Sequence, residues 1–140
     1  MNLVNDEDII TLLKESKTIA VVGLSPKTNR ASFRIASYMQ QAGYRIIPVR
    51  PGGVVILGEQ SYPSLKDIPK DIQVDLVDVF RGSENTPPIA TNAVAVKAKG
   101  FWLQSGIINQ TAMDIAKLGG LIGVQDRCLA VEHRRLADKL

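Results

Sequence analysis

Residues 18–32 read TIAVVGLSPKTNRAS and join a short β-branched run to a loop of small and basic residues. The run Thr18–Val22 has the length and composition of a strand that is buried on both faces, and it ends at Gly23. The stretch Ala31–Gln41 follows with apolar residues at helical spacing, and Gly43 stands where a helix end favours glycine. A buried strand, a loop and a helix in this order are typical of an α/β protein with a parallel sheet.

The rest of the chain repeats this alternation. Four further apolar runs predict strands at 45–49, 74–79, 101–103 and 121–124, and the irregular stretch 51–69 has room for a short strand at 54–57. Helices are predicted at 6–15 with Asp6 as N-cap, at 87–97, at 109–118 between Asn109 and Gly119, and at 129–140. We therefore predict one α/β domain over residues 1–140. It is Rossmann-like and doubly wound, with a mainly parallel five-stranded sheet and helices on both faces.

Composition and charge argue against several classes of function. The 140-residue chain has a net charge of only +3, and its basic residues are scattered, so we expect no nucleic-acid partner. No apolar run approaches the ~18 residues that a membrane span needs, and the first eight residues lack a signal segment. The single cysteine and the spacing of Asp126, Glu132 and His133 do not form a metal-ligand pattern. We expect a cytoplasmic protein without a metal site.

The loop after the first strand predicts an anion site. Backbone N–H groups and the helix dipole attract phosphate at a strand–loop–helix junction, and Gly23 permits close approach of a ligand. Ser25 and Ser32 supply hydroxyls, while Lys27 and Arg30 supply positive charge. The alternative is an ordinary connection whose charged side chains are simply solvated.

Two observations narrow the kind of nucleotide. The loop is not the dinucleotide fingerprint G-x-G-x-x-G, because Ser25 and Thr28 stand where glycines are needed. The second strand ends at Arg50, followed by Pro51, where NAD enzymes place an acidic residue against the ribose hydroxyl. A cation at this position favours a ligand with a phosphate on the ribose, which indicates NADP or coenzyme A rather than NAD.

Polar and aromatic residues also follow the third and fourth strands. Phe80 and Arg81 come directly after one strand, and Gln104, Ser105 and Gly106 come after the next. An aromatic ring at this edge can stack on adenine or cover an apolar arm of the ligand, and an arginine can pair with phosphate. Core packing explains Phe80 about as well.

Cys128 and His133 raise the question of nucleophilic catalysis, since an imidazole can activate a thiol. They lie five residues apart, a spacing that does not bring two side chains onto one helix face as three or four would. Cysteine is among the most commonly buried residue types. We therefore expect both residues to be structural.

Taken in order, these motifs resemble the CoA-binding domain family, the small stand-alone Rossmann-like proteins similar to the N-terminal domain of succinyl-CoA synthetase alpha subunits. The matching stretches are 22–27 with Arg30, 44–49, 77–81, 102–106, 126–128 and 132–134. Together they cover nearly the whole chain. The chain departs from the family where relatives commonly read Val-Asn-Pro, because here the sequence is Val49-Arg50-Pro51, followed by two glycines.

The resemblance implies a coenzyme A pocket built from four strand ends. Its residues are Gly23, Leu24, Ser25, Pro26, Lys27 and Arg30 for the phosphates, Val49, Arg50 and Pro51 for the adenosine end, then Phe80 and Arg81, and finally Gln104, Ser105 and Gly106. We expect the ligand to be CoA or an acyl-CoA and the protein to lack catalysis of its own, because the phosphohistidine and nucleotide-grasp domains of the synthetases are not seen. The alternatives are a small NADP-linked reductase, a CoA-thioester enzyme using Cys128, or a regulatory protein that senses a nucleotide.

Overall fold

A five-stranded parallel sheet forms the centre of the computed structural model, which describes residues 4–140. Its strands are β1 (Thr18–Val22), β2 (Arg45–Val49), β5 (Leu76–Val79), β6 (Gly100–Leu103) and β7 (Ile122–Val124). They lie in the order β2-β1-β5-β6-β7. A separate antiparallel hairpin is made of β3 (Val55–Ile56) and β4 (Glu59–Gln60).

Helices connect the parallel strands. They are α1 (Asp6–Glu15), α2 (Ala31–Gln41), α3 (Thr86–Ala95), α4 (Gln110–Leu118) and α5 (Leu129–Arg135). Short 3₁₀ turns lie at Leu65–Asp67, Ser83–Asn85 and Ala137–Lys139. The predicted Rossmann-like fold with helices on both faces of a parallel sheet is confirmed.

Successive side chains of each strand point to opposite faces of the sheet, which is why the strands read as continuous apolar runs. On one face, Val77 and Phe101 pack in the same cluster as buried alanines of α3 and α4. On the other face, Leu76 and Trp102 pack with buried residues of α1, α2 and α5. The sheet is therefore covered on both sides, and ligands have access only at its edges.

Several predicted boundaries are corrected by the structure. The N-cap of α1 is Asn5 and not Asp6, because the Asn5 side chain accepts a hydrogen bond of 2.8 Å from the Asp8 amide. The last predicted helix ends at Arg135 and continues only as a 3₁₀ turn. The proposed short strand at 54–57 is reduced to β3, and its partner β4 was not predicted. The caps at Asn109 and Gly43 are as expected.

The strand order determines where a ligand can bind. β1 pairs with β2 on one side and with β5 on the other. The chain therefore adds its second strand on one side of β1 and all later strands of the sheet on the other side, so the strand order reverses at β1. In open α/β sheets the loops on either side of such a reversal diverge and leave a crevice outside the carboxyl ends of the strands. The crevice of this protein lies beside the ends of β1 and β5, at Gly23 and Phe80.

Candidate functional site

Gly23 forms the turn that opens the crevice. Its φ is +88°, a backbone conformation that residues other than glycine rarely adopt. Its N–H donates to the Val49 carbonyl at 2.9 Å. A Cβ at this position would lie 2.5 Å from the Phe80 carbonyl oxygen. Glycine is therefore required here both by the backbone conformation and by the close approach of the strand-end loops.

The loop that follows Gly23 is held by its own serines. The Ser25 amide donates to the Ser32 hydroxyl at 3.0 Å, and the Lys27 amide donates to the Ser25 hydroxyl at 3.1 Å. Arg30 is the N-cap residue of α2 in extended conformation, and its amide donates to the Lys27 carbonyl at 3.1 Å. These bonds fix the loop and leave the side chains of Lys27 and Arg30 exposed.

Four cations on the loops at this edge of the sheet have no carboxylate partner in the described part of the chain. They are Lys27, Arg30, Arg50 and Arg81, which form no salt bridge with a carboxylate of residues 4–140, whereas a fifth cation at this edge, Arg127, is paired with Glu132. The Arg50 guanidinium donates to two backbone carbonyls, that of Leu24 at 3.5 Å and that of Pro51 at 3.2 Å. Positive charge that is not neutralised within the protein is available to an anionic ligand.

A first cavity of about 320 Å³ lies between the ends of β1 and β2. It is lined by Val22, Gly23, Leu24, Ser25, Val49, Arg50, Pro51, Pro63 and Arg81. Leu24 and Val49 are buried in the core, so they contribute little exposed surface to the cavity. Pro63 lies in the irregular stretch after the hairpin and was not among the predicted residues.

A second cavity of about 380 Å³ lies between the ends of β5 and β6. It is lined by Ala31, Ile35, Phe80, Arg81, Gly82, Gln104, Ser105, Ile107 and Cys128. Arg81 lines both cavities, so the two form adjacent parts of one edge. The predicted residues Pro26, Lys27, Arg30 and Gly106 line neither cavity; the first three belong to the loop beside the first one.

Gln104 was predicted to bond a ligand, but both ends of its carboxamide already have protein partners. Its Nε2 donates to Asp78 Oδ1 at 2.5 Å, and its Oε1 accepts from the Leu129 amide at 3.4 Å. Asp78 is 1% exposed, and burial raises its pKa to about 7, opposed by the Gln104 hydrogen bond. Sequence reasoning missed Asp78; an acidic residue inside an apolar strand was the available signal.

The loops after β6 and β7 are joined to each other. The Gly106 amide donates to Asp126 Oδ1 at 2.7 Å, and the Asn109 amide donates to the Gln125 side chain at 2.9 Å. Asp126 has a φ of +59°, which is uncommon for a residue other than glycine. These contacts hold the wall of the second cavity, where Ser105 and Cys128 lie, in one arrangement.

The His133 imidazole contacts two tyrosines. In the described part of the chain, the His133 ring nitrogen Nδ1 is 2.9 Å from the Tyr38 hydroxyl, and the ring packs edge-on against Tyr38 and Tyr44. Burial lowers the pKa of His133. Cys128 lines the second cavity, a placement that the sequence analysis did not predict.

In residues 4–140, no group of three or more His, Cys, Asp or Glu side chains is arranged to hold a metal ion. Within the same range, no helix combines the length and apolar character needed to cross a membrane.

Comparison with known proteins identifies a family and several similar chains. The model of the CoA binding domain family matches residues 17–134. YneT of Bacillus subtilis (strain 168) is 41% identical over 126 residues, which cover 90% of this chain and 92% of YneT. A hypothetical protein from Pyrococcus horikoshii OT3 has a solved structure with a TM-score of 0.89 and 37% identity, covering 96% of this chain and 93% of that one.

Part of this chain is also similar to part of a larger enzyme. An acetate–CoA ligase (ADP-forming) of Archaeoglobus fulgidus is 34% identical over 65 residues, which are 45% of this chain and 10% of the ligase. The family match spans both cavities and all five parallel strands. The chain therefore belongs to the CoA-binding domain family.

Proposed function

We propose that the protein binds coenzyme A along the carboxyl edge of its sheet, with the phosphates beside the loop that follows β1. The observation that carries this proposal is the pair of adjacent cavities that share Arg81 and flank the reversal point of the sheet. CoA is long, with a phosphorylated nucleotide at one end and an apolar arm at the other. Two linked cavities of different character suit such a ligand.

The first cavity suits the nucleotide end. Gly23 and Ser25 line it, and so do Arg50 and Arg81, whose guanidinium groups have no carboxylate partner in residues 4–140. A guanidinium binds two phosphate oxygens at once in a fixed planar geometry. In the proposed complex Arg50 exchanges its long 3.5 Å bond to the Leu24 carbonyl for a phosphate on the ribose.

The second cavity suits the arm of the ligand. Its exposed lining is mostly apolar, with Ile35, Phe80 and Ile107 among the residues that form it. An aromatic face and aliphatic side chains stabilise a flexible chain by removing apolar surface from water. The reactive end of the arm then lies near Gln104 and Cys128.

We further propose that the protein performs no reaction on the ligand. The imidazole of His133 is bonded to Tyr38, and the Gln104 carboxamide is bonded to Asp78 and Leu129. His133 Nδ1 is therefore not free to activate Cys128, and the carboxamide of Gln104 is neither an acid nor a base near neutral pH. An acyl-CoA hydrolysis or acyl-transfer activity that is present in the wild type and lost in folded Cys128→Ala would contradict this proposal.

Calorimetric titration with three ligands tests the proposed binding mode. We expect CoA to bind more tightly than dephospho-CoA, which lacks the phosphate on the ribose, and both to bind more tightly than NAD. Arg50→Gln should bring the affinities for CoA and dephospho-CoA together. Lys70→Gln is the control, because it removes one positive charge from an exposed position near the amino end of β5. Equal affinity of the wild type for CoA and dephospho-CoA would remove Arg50 from its proposed role.

A further inference from the structure

A carboxyl group lies inside the apolar face of the sheet that packs against α1, α2 and α5. Asp78 lies on β5, two residues after Leu76 and on the same face of the sheet. Its register neighbours are Val21 of β1 and Trp102 of β6. It is 1% exposed, and its Oδ2 has no hydrogen-bond partner among residues 4–140. Burying an unpaired carboxyl oxygen costs free energy, so its presence in a packed face needs an explanation.

The other carboxyl oxygen connects Asp78 to the second cavity. Asp78 Oδ1 accepts the 2.5 Å hydrogen bond from Gln104 Nε2, and Gln104 lines that cavity. Because a carboxylate oxygen only accepts, this bond turns the amide nitrogen of Gln104 towards Asp78. The amide oxygen is then directed to the Leu129 amide, in the first turn of α5.

We propose that Asp78 is a positioning residue of the candidate CoA site: it sets the orientation of the Gln104 carboxamide and takes up a proton when the ligand fills the second cavity. This inference rests on the proposed function. Asp78 does not touch the ligand in this scheme, because Oδ2 is closed off from solvent. It acts through Gln104.

Proton uptake follows from the surroundings of the carboxyl group. The pKa of Asp78 in the free protein is about 7, so near neutral pH the ionised and neutral forms are both populated. A ligand arm in the cavity excludes water from the wall next to Gln104. This change disfavours the ionised form and raises the pKa further.

The neighbouring ionisable groups do not account for this behaviour. On the elements packed against this face they are Asp6, Glu7, Asp8, Lys14 and Glu15 of α1, Arg34 and Tyr38 of α2, Arg81 after β5, Cys128 before α5, and Glu132, His133, Arg134 and Arg135 of α5. Glu132 is paired with Arg127 and Arg135, and Asp6 is also paired with Arg135. Burial raises the pKa of Asp78, and the Gln104 hydrogen bond opposes this rise.

Calorimetric titration of CoA between about pH 6 and pH 8.5, in buffers of different ionisation enthalpy, tests the inference. We expect the wild type to take up a fraction of a proton when it binds CoA near pH 7.5. Its affinity for CoA should then fall as pH rises, by up to tenfold per pH unit, which is the limit (~1.4 kcal/mol) for one linked proton. Asp78→Asn has the same shape and keeps an oxygen for Gln104, so it should lose this uptake. The titration of CoA itself is common to both proteins and cancels in the comparison.

A second variant separates positioning from simple packing. Gln104→Met removes the hydrogen bond that lowers the pKa of Asp78, so the pH profile of CoA binding should move to higher pH. A profile unchanged from the wild type would contradict the connection through Gln104. A purely structural role for Asp78 predicts weaker folding of both variants but no shift of the profile.

The carboxyl carbon resonance of Asp78 in the ¹³C-labelled wild type gives a direct reading that needs no variant. We expect a titration midpoint near 7 in the free protein and a higher midpoint with saturating CoA. Equal proton uptake by the wild type and Asp78→Asn, or an unmoved midpoint, overturns this inference while CoA binding stands. Absence of CoA binding at every pH overturns the proposed function, and this inference with it.

Discussion

Arg30 and Lys27 are the two residues whose side chains are expected to serve the ligand and little else. Both are exposed, and neither side chain pairs with a carboxylate in residues 4–140. We expect Arg30→Ala to weaken CoA binding by about tenfold or more, since a sheltered charge-assisted contact contributes ~1.5–3 kcal/mol. Lys27→Ala should weaken it less, because an ammonium acts as a point charge while a guanidinium binds two oxygens. Calorimetric titration measures both.

The control for this pair is Lys70→Ala, which removes one exposed charge from the opposite edge of the sheet and should leave CoA affinity unchanged. The melting temperature of each apo variant should barely move, because surface substitutions usually change stability by less than ~0.5 kcal/mol. A folded Arg30→Ala protein with full affinity would show that the loop after β1 does not bind phosphate.

Asp78 should make the stability of the free protein depend on pH. Its pKa is about 7 in the folded state and 3.8 when unperturbed, so between these values the folded protein binds the extra proton. The free energy of unfolding therefore falls as pH rises from about 4 to about 7, by up to ~1.4 kcal/mol per unit. Urea unfolding of the wild type should show this loss, and Asp78→Asn should show a smaller one. Parallel pH profiles for the two proteins would mean that Asp78 is ionised normally.

At the level of elements, the turn between β1 and its loop depends on Gly23. Gly23→Ala adds a Cβ at 2.5 Å from the Phe80 carbonyl oxygen, in a backbone with φ of +88°. We expect a loss of stability beyond the ~1–2 kcal/mol that a left-handed conformation costs an L-residue, together with loss of CoA binding because the crevice must widen. Thermal unfolding and calorimetry measure the two effects.

Gly120→Ala is a closely matched control for this substitution. Gly120 has the same φ of +88°, but a Cβ there meets nothing within 4 Å. It should therefore show only the cost of the backbone conformation and retain CoA affinity. If Gly23→Ala is no less stable than Gly120→Ala and binds CoA equally well, the close approach of the β1 and β5 loops is not needed for the site.

The sequence predicts the regular elements well because their signals are local. Short apolar runs give the five parallel strands, and the caps Asn109 and Gly43 are visible in the residue type alone. The errors occur where a local pattern has two readings. Asn5 and Asp6 are both good capping residues, and only the bond from the Asp8 amide selects Asn5. The hairpin partner β4, Glu59–Gln60, is polar and two residues long, so it carries no apolar pattern.

For the whole molecule, the parallel topology explains why the residues of the candidate site could be predicted to lie together. Carboxyl ends of parallel strands meet at one edge, so residues after four separate strands, such as Gly23, Arg50, Phe80 and Gln104, must lie near one another. Individual partners were not predictable in the same way. The bond between Gln104 and Asp78 joins residues 26 apart and depends on side-chain direction in a packed face. The cavity position of Cys128 likewise depends on how α5 returns to the sheet.

Binding of CoA along the carboxyl edge of the sheet is tested most directly by an NMR titration of ¹⁵N-labelled protein with CoA. Amide resonances of the loop after β1 should shift, together with those of Arg50, Arg81 and Ser105. Resonances of residues 66–73, which precede β5 at the amino edge, should stay in place. Shifts confined to residues 66–73, or none at saturating CoA, would contradict binding at the proposed site.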